Sequence, residues 1–285
     1  AGERVGEAIG SFMEAFEEEL RSFRRLLPAW VPTRGRRRIA EARRSISGVL
    51  DPIIARERAS GEERDHLLGR LLAARDEDGE GMSDAQLRDE AITLFTAGHE
   101  TTSIALSYAL WLLAHHPSIQ EEVAAEGRAV SGDRPPSAAD LSRLPLHRAV
   151  IRESMRLYPP AWMIGRAPTE DVQIGGHVVR AGEQILMPQW VVHRDPRWWR
   201  EPLAFRPERW LGDETEGLPR FAYFPFGGGP RVCIGNHFAT LEAVLILAVW
   251  LKHHRLTAAP GATLEPMPAV TLRPRSGVWL EHTAR

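Results

Sequence analysis

The chain has 285 residues, enough for one large domain or two ordinary ones. Its 43% hydrophobic and 26% charged residues describe a globular chain and exclude a disordered one. A formal net charge of -2 excludes an overall field that would steer the protein to nucleic acid or an anionic membrane, and a single cysteine excludes an intrachain disulfide.

The first half is helical in pattern. Phe12, Phe16, Leu20 and Phe23 mark one amphipathic stripe, interrupted at Pro28 and Pro32. The basic run TRGRRR, Thr33 to Arg38, lacks interleaved aromatics and reads as a solvated helix start. A second helix follows through Ile39, Ile46, Leu50 and Ile54, and a short third spans His66 to Arg75. DEDGEG is a loop, and Ser83 then opens a capping sequence, SDAQ. From Asp84 to His115 the pattern is one long helix, apolar almost all round from Ala91, which predicts burial through the middle of the protein. Pro117 ends it.

Ser118 to Val130 reads as a surface helix, and Leu146 to Leu157 as another helix stopped by Pro159 and Pro160. VQIGGHVV predicts a hairpin around Gly175 and Gly176. Between Gln189 and Tyr223 periodicity is weak and proline and tryptophan are frequent. Cys233 opens a last apolar helix to about Lys252, and the tail reads as short strands. The longest apolar run, Ala243 to Leu251, falls far short of the ~20 residues of a membrane span. The fold class is therefore mainly α with a small β part.

Four motifs carry chemistry. The loop FPFGGGPRVCIG surrounds the lone Cys233 with glycines, a proline and Arg231. A lone cysteine is ordinarily a small buried hydrophobe. Here the glycines allow backbone N–H groups to approach the sulfur, the helix end favours a thiolate, and Phe226 and Pro230 are placed to shield it. That describes an axial thiolate on haem iron. AGHETTS, Ala97 to Ser103, puts Glu100, Thr101 and Thr102 inside an apolar helix. Buried threonines usually bond back to the i−4 carbonyl, and that reading stays open. Taken together, small Ala97 and Gly98 leave room for a flat cofactor, while Glu100 and Thr101 form a proton-delivery pair. Glu153 and Arg156 stand three apart on a helix, which by spacing alone is an ordinary surface pair. Arg166 follows PPAWMIG and reads by itself as a loop arginine.

The spacing Phe226-x-x-Gly229-x-Arg231-x-Cys233-x-Gly235 resembles the haem-thiolate signature of the cytochrome P-450 family. AGHETTS resembles that family's oxygen-activation motif, and the order of AGHETTS, ExxR, PERW and cysteine loop is the family's order. The resemblance implies the C-terminal majority of the cytochrome P-450 fold, roughly helices F to L plus short sheets, as one partial domain over 1–285, with the N-terminal helices absent from this chain. It implies haem b, Cys233 as iron ligand, Phe226 tuning it, and Arg231 and Arg166 on the haem propionates. Glu153, Arg156 and Arg209 would form a buried structural triad. Leu94, Phe95, Ala97, Ala161, Trp162, Met163 and Ile164 would wall an apolar pocket, with Met267 to Val270 closing it; each also fits an ordinary core position.

The implied function is a monooxygenase of bacterial type that inserts one oxygen atom of O2 into a C–H bond of an apolar fatty acid, terpenoid or steroid-like compound. Lys252 is the only lysine, and with abundant alanine this points to a GC-rich bacterial genome. No flavin or iron–sulfur motif is visible, so a separate ferredoxin- or flavodoxin-type donor is expected, in the cytoplasm, with no nucleic acid or membrane partner. Two rivals remain: a peroxide-driven peroxygenase or isomerase, and a non-catalytic haem binder or inactive fragment.

Overall fold

A computed structural model describes residues 33–60 and 65–285, together with Gly10, Phe12, Ala15, Glu18, Glu19, Pro28, Trp30 and Val31. Of the first predicted stripe, Phe16, Leu20 and Phe23 lie outside the described residues. The chain forms two compact units, residues 1–99 and 100–285.

In the first unit, α1 runs Arg34–Ser60, α2 Leu67–Ala73, and α3 begins at Asp84. The basic run is the start of α1. Arg36 Nη1 donates to the Pro28 and Val31 carbonyls at 2.6 and 2.9 Å, and Arg38 pairs with Glu18, which is the expected solvated helix start. Ile46 is buried and packs with Val49, Leu50 and Ile92. His66 caps α2 by accepting the Gly69 N–H at 3.1 Å. The DEDGEG loop turns on Asp76, whose Oδ1 accepts the Asp78 and Glu80 N–H groups, and on Gly79 at a φ of 82°. Ser83 and Gln86 then form a reciprocal capping box for α3.

α3 spans Asp84–Ala114 and enters the second unit at Glu100. The expected burial of the whole helix is corrected here. From Ile104 onward α3 is mostly buried, but between Ala91 and Ser103 Thr102 alone is buried. His99 and Ser103 put polar groups on the exposed side of this stretch, and Phe95, Ala97 and Gly98 are exposed with them.

The second unit continues with α4 (Pro117–Ser131) and α5 (Pro145–Leu157), each opened by a proline whose missing N–H costs nothing there. A 3-10 turn, Ala138–Arg143, joins them. After the short strands comes α6 (Gln189–Val192) and, near the end, α7 (Asn236–His253). Leu113, Val123, Val150, Leu247 and Leu251 of α3, α4, α5 and α7 meet in one core. α5 is buried along most of its length, including His147, Glu153 and Arg156.

Among the described residues eight short strands pair antiparallel in twos. They are β1 (Ile164–Arg166) with β4 (Ile185–Met187), β2 (Val172–Ile174) with β3 (His177–Val179), β5 (His254–Ala258) with β8 (Leu280–Ala284), and β6 (Pro266–Pro268) with β7 (Leu272–Pro274). The β2–β3 turn is the predicted one: Gly175 and Gly176 both take positive φ, 55° and 84°, as a tight type I′ hairpin requires. The fold is mainly α with a small β part, and among the described residues no helix is long and apolar enough to cross a membrane.

One buried polar residue joins helix to sheet. Gln120 of α4 donates to the Leu113 and Leu256 carbonyls at 3.0 Å each and accepts the Leu256 N–H at 2.8 Å. The Leu113 carbonyl keeps the His116 N–H at 3.1 Å, so Gln120→Leu strands the two Leu256 backbone groups, at about 1–3 kcal/mol for each one left unpaired. Urea unfolding should show a loss of at least about 2 kcal/mol. Ser131→Ala removes one helix-internal bond and should lose less than about 1 kcal/mol in the same measurement.

Candidate active site

The cysteine loop is built from left-handed glycines and backbone bonds. Gly227 and Gly229 have φ of 75° and 69°. Gly227 N–H donates to Phe224 O at 2.9 Å, Val232 N–H to Gly229 O at 3.1 Å, and Cys233 N–H to Phe226 O at 2.9 Å. A Cβ on Gly228 would stand 2.5 Å from the Phe221 ring, so a side chain there would require that ring to move. Phe226 packs against the main core and anchors the loop from within.

Two expectations are corrected at this loop. The helix does not open at Cys233 but at Asn236, with Gly235 as its N-cap. The intervening turn is closed by the Asn236 N–H on the Cys233 carbonyl, at 3.4 Å. The thiol is not shielded by Phe226 and Pro230. Cys233 is free and exposed, and Pro230 and Arg231 at the 3-10 turn Gly229–Arg231 are exposed as well. Ile234 is 90% exposed and Phe238 68%, so the chain beside the cysteine carries exposed apolar side chains.

Glu100 and Thr101 are half-buried on α3. Glu100 Oε1 accepts the Thr271 hydroxyl at 2.9 Å, a contact between residues 171 apart that sequence reading did not anticipate. Thr102 is buried, and its hydroxyl has no partner among the described residues. In the first unit, the position of a Cβ on Gly98 has no atom within 4 Å, consistent with small residues reserving space. Leu94 is half-buried, Ala97 is exposed, and Phe95 stacks on His99 at 5.7 Å.

In the second unit, Ile164 lies beside the cysteine loop, its Cδ1 3.3 Å from where a Gly227 Cβ would stand. Ala161 and Met163 are exposed. Arg166 lies exposed on β1 and donates to the Gly165 carbonyl at 2.8 Å. The chain at 160–162 is tied to the hairpin after β6: Leu272 N–H donates to Pro160 O and Trp162 Nε1 to Ala269 O, both at 2.9 Å.

Glu153, Arg156 and Arg209 come together in the interior, all at most 1% exposed. Arg156 Nε and Nη2 grip the two Glu153 oxygens at 2.9 Å each, and Arg209 Nε reaches Glu153 Oε1 at 3.1 Å. The remaining Arg156 donors go to the carbonyls of His193, Pro202 and Ala204. Every N–H of this guanidinium is thus satisfied. Sequence reading missed Glu214, which pairs with Arg209, and Trp210, whose Nε1 donates to Glu153 Oε2 at 2.9 Å. It also missed Trp199, whose ring lies 5.1 Å from the Arg156 guanidinium carbon. PERW carried a signal for Trp210; nothing in local spacing marks Glu214 or Trp199.

His193 links the triad to the cysteine loop. Its carbonyl accepts Arg156 Nη1, and its Nε2 accepts the Phe224 N–H at 2.9 Å. Phe224 in turn accepts the Gly227 N–H that closes the loop. Burial, reinforced by the Arg156 and Arg194 charges, pushes the His193 imidazole down to about 3. Its neutral form is what the Phe224 bond requires.

A mainly α protein with small antiparallel sheets and a glycine-rich cysteine loop before its last long helix has the architecture of the haem-thiolate proteins. The chain belongs to the cytochrome P-450 family, whose model matches residues 4–280. It is 39% identical over 235 residues to a Streptomyces melanosporofaciens protein named cyclooctat-9-en-7-ol 5-monooxygenase, covering 82% of this chain and 51% of that one. It is 37% identical over 248 residues to cyclooctatin synthase of the same organism, covering 86% and 54%. A Mycobacterium tuberculosis protein named as cytochrome P-450 132 is 40% identical over 235 residues, covering 82% and 49%. The chain spans about half the length of these curated relatives.

The residues present fit a haem. The free Cys233 thiol is a single soft ligand, as haem iron takes on its protein side. Exposed Val232, Ile234 and Phe238 offer apolar surface, and Arg231 and Arg166 are exposed cations suited to carboxylates. Among the described residues no group of three or more His, Cys, Asp or Glu side chains could hold a bare metal ion.

Glu153→Ala leaves Arg156 buried without a carboxylate and Arg209 with Glu214 alone, and should cost about 3–5 kcal/mol in chemical unfolding. The His193 reading sets a pH window. Because its folded-state value of about 3 lies below the ordinary 6.5, the unfolded chain binds the extra proton first between those values. Its contribution is complete above pH 6.5 and is lost as pH falls toward 3, by up to about 1.4 kcal/mol per pH unit. A stability–pH curve for His193→Asn should be flatter than wild type across that range.

Proposed function

We propose that this chain is the cysteine-bearing part of a haem-thiolate monooxygenase that inserts one oxygen atom of O2 into a C–H bond of an apolar fatty acid, terpenoid or steroid-like substrate. Electrons come from a separate ferredoxin- or flavodoxin-type protein, and the cofactor is haem b in a cytoplasmic enzyme. The observation that carries the reading is the free, exposed Cys233 on a loop held through Phe224 and His193 to the buried triad. The relative named as the 5-monooxygenase of cyclooctat-9-en-7-ol supports the reaction class and, through it, an apolar substrate.

When bound, the haem supplies O2 activation at its iron. The chain supplies the rest. Cys233 holds the iron through its sulfur, with Phe226 packed behind the loop and Gly229 and Gly235 allowing close backbone approach. Arg231 and Arg166 would pair the haem carboxylates. Glu100 and Thr101 would hold and pass protons. In the first unit Ala97 and Gly98 are small and Leu94 and Phe95 apolar, and in the second unit Ala161, Met163 and Ile164 offer apolar side chains suited to such a substrate.

In the complete protein, Cys233→Ala should abolish the strongly red-shifted Soret band of the reduced, CO-bound form. An unshifted band in the wild type would defeat the proposal. Thr101→Ala should keep that band but lower product formed per electron pair by on the order of 10-fold or more, measured as product against NAD(P)H consumed.

A further inference from the structure

Thr271 stands between β6 and β7 and is 6% exposed. Its hydroxyl meets Glu100 Oε1 at 2.9 Å. The turn that carries it is fixed without help from Glu100. Ala269 N–H donates to Thr271 O at 3.0 Å, Leu272 N–H to Pro160 O at 2.9 Å, and Trp162 Nε1 to Ala269 O at 2.9 Å. The hydroxyl is therefore presented by a braced backbone to a carboxylate whose long side chain would otherwise sample several rotamers.

The type of partner matters. An arginine or lysine here would favour the charged carboxylate and resist its taking up a proton. A threonine hydroxyl donates to the carboxylate and can rotate to accept from the carboxylic acid, so the contact survives a proton passing through Glu100. We propose that Thr271 is a positioning residue for proton delivery: its hydroxyl holds the Glu100 carboxyl group in one orientation through both of its protonation states. The role rests on the reading of Glu100 as a proton-delivery group and adds to it the residue that aims it. The β6–β7 turn and the segment at 160–162 then set the direction of that carboxylate.

The test uses Thr271→Val, Thr271→Ser, Glu100→Gln and the Val/Gln double variant in the complete, haem-loaded protein. T271V should keep the red-shifted band and bind substrate within roughly twofold of wild type, yet form several-fold less product per NAD(P)H, with the missing electrons appearing as hydrogen peroxide. T271S should restore coupling, and in the E100Q background T271V should change it no further. Coupling equal to wild type in T271V, a T271S as poor as T271V, or full additivity with E100Q overturns the proposal. The contact is also read without turnover: urea midpoints of the two single variants should combine non-additively, and additivity there overturns it too. Thr271→Ala, judged by the same criteria, stands in if the valine variant does not fold. A wild type lacking the red-shifted band overturns the haem-thiolate reading and this role with it; a coupled wild type with an equally coupled T271V overturns this role alone.

Discussion

The second unit is organised around a carboxylate buried between two guanidiniums. Glu153 is held by Arg156 and Arg209 in the interior, and the half-buried Glu214 balances the second arginine from the edge of the cluster. Such a cluster is tolerable only when its charges are paired and most of its donors satisfied. Every Arg156 donor is satisfied, Arg209 Nη2 is buried with no partner among the described residues, and the geometry is demanding. It recruits the carbonyls of His193, Pro202 and Ala204, the N–H of Arg206 and the indole of Trp210. Because these groups come from separate loops, satisfying one side chain fixes the course of a long irregular stretch that has few regular elements of its own.

The cysteine loop inherits that order. Phe224 receives its place from His193, Gly227 from Phe224, and Cys233 from Phe226. Three links of neutral hydrogen bonding thus connect a buried charge cluster to an exposed sulfur. Each link is modest, but all are local and geometrically specific, and the glycines with positive φ let the chain double back tightly enough to make them. Below the loop, α7 is seated by Ala243, Val244, Leu247, Ala248 and Leu251 in the main core, so the sulfur stands on a rigid base.

The oxygen-side motif shows the opposite economy. Its residues interrupt an otherwise apolar helix, and the helix is mostly buried only beyond them, from Ile104. The polar groups of Glu100 and Thr102 meet different fates: the first finds Thr271, and the second stays buried without a partner among the described residues. Polar side chains kept inside a helix against its packing interest are what functional sites look like in energetic terms.

Local features were legible from residues alone. Prolines at 117 and 145, the Ser83–Gln86 box and the Gly175–Gly176 turn act within a few positions, so α3, α4, α5 and the β2–β3 hairpin appear where the pattern places them. The cysteine loop was legible because its spacing resembles a known family, and so was the triad, whose members lie up to 56 residues apart. Illegible were the partners chosen by folding: His193 between triad and loop, Glu214 beside Arg209, Gln120 bridging to Leu256, Thr271 on Glu100. The sequence by itself determined the helices, the turns and the identity of the chemical groups, since these follow from short-range sterics and from composition. Tertiary structure alone decided which buried polar atoms face each other, because a buried donor or acceptor takes whichever partner the packing brings within reach, and sequence separation places no limit on that choice.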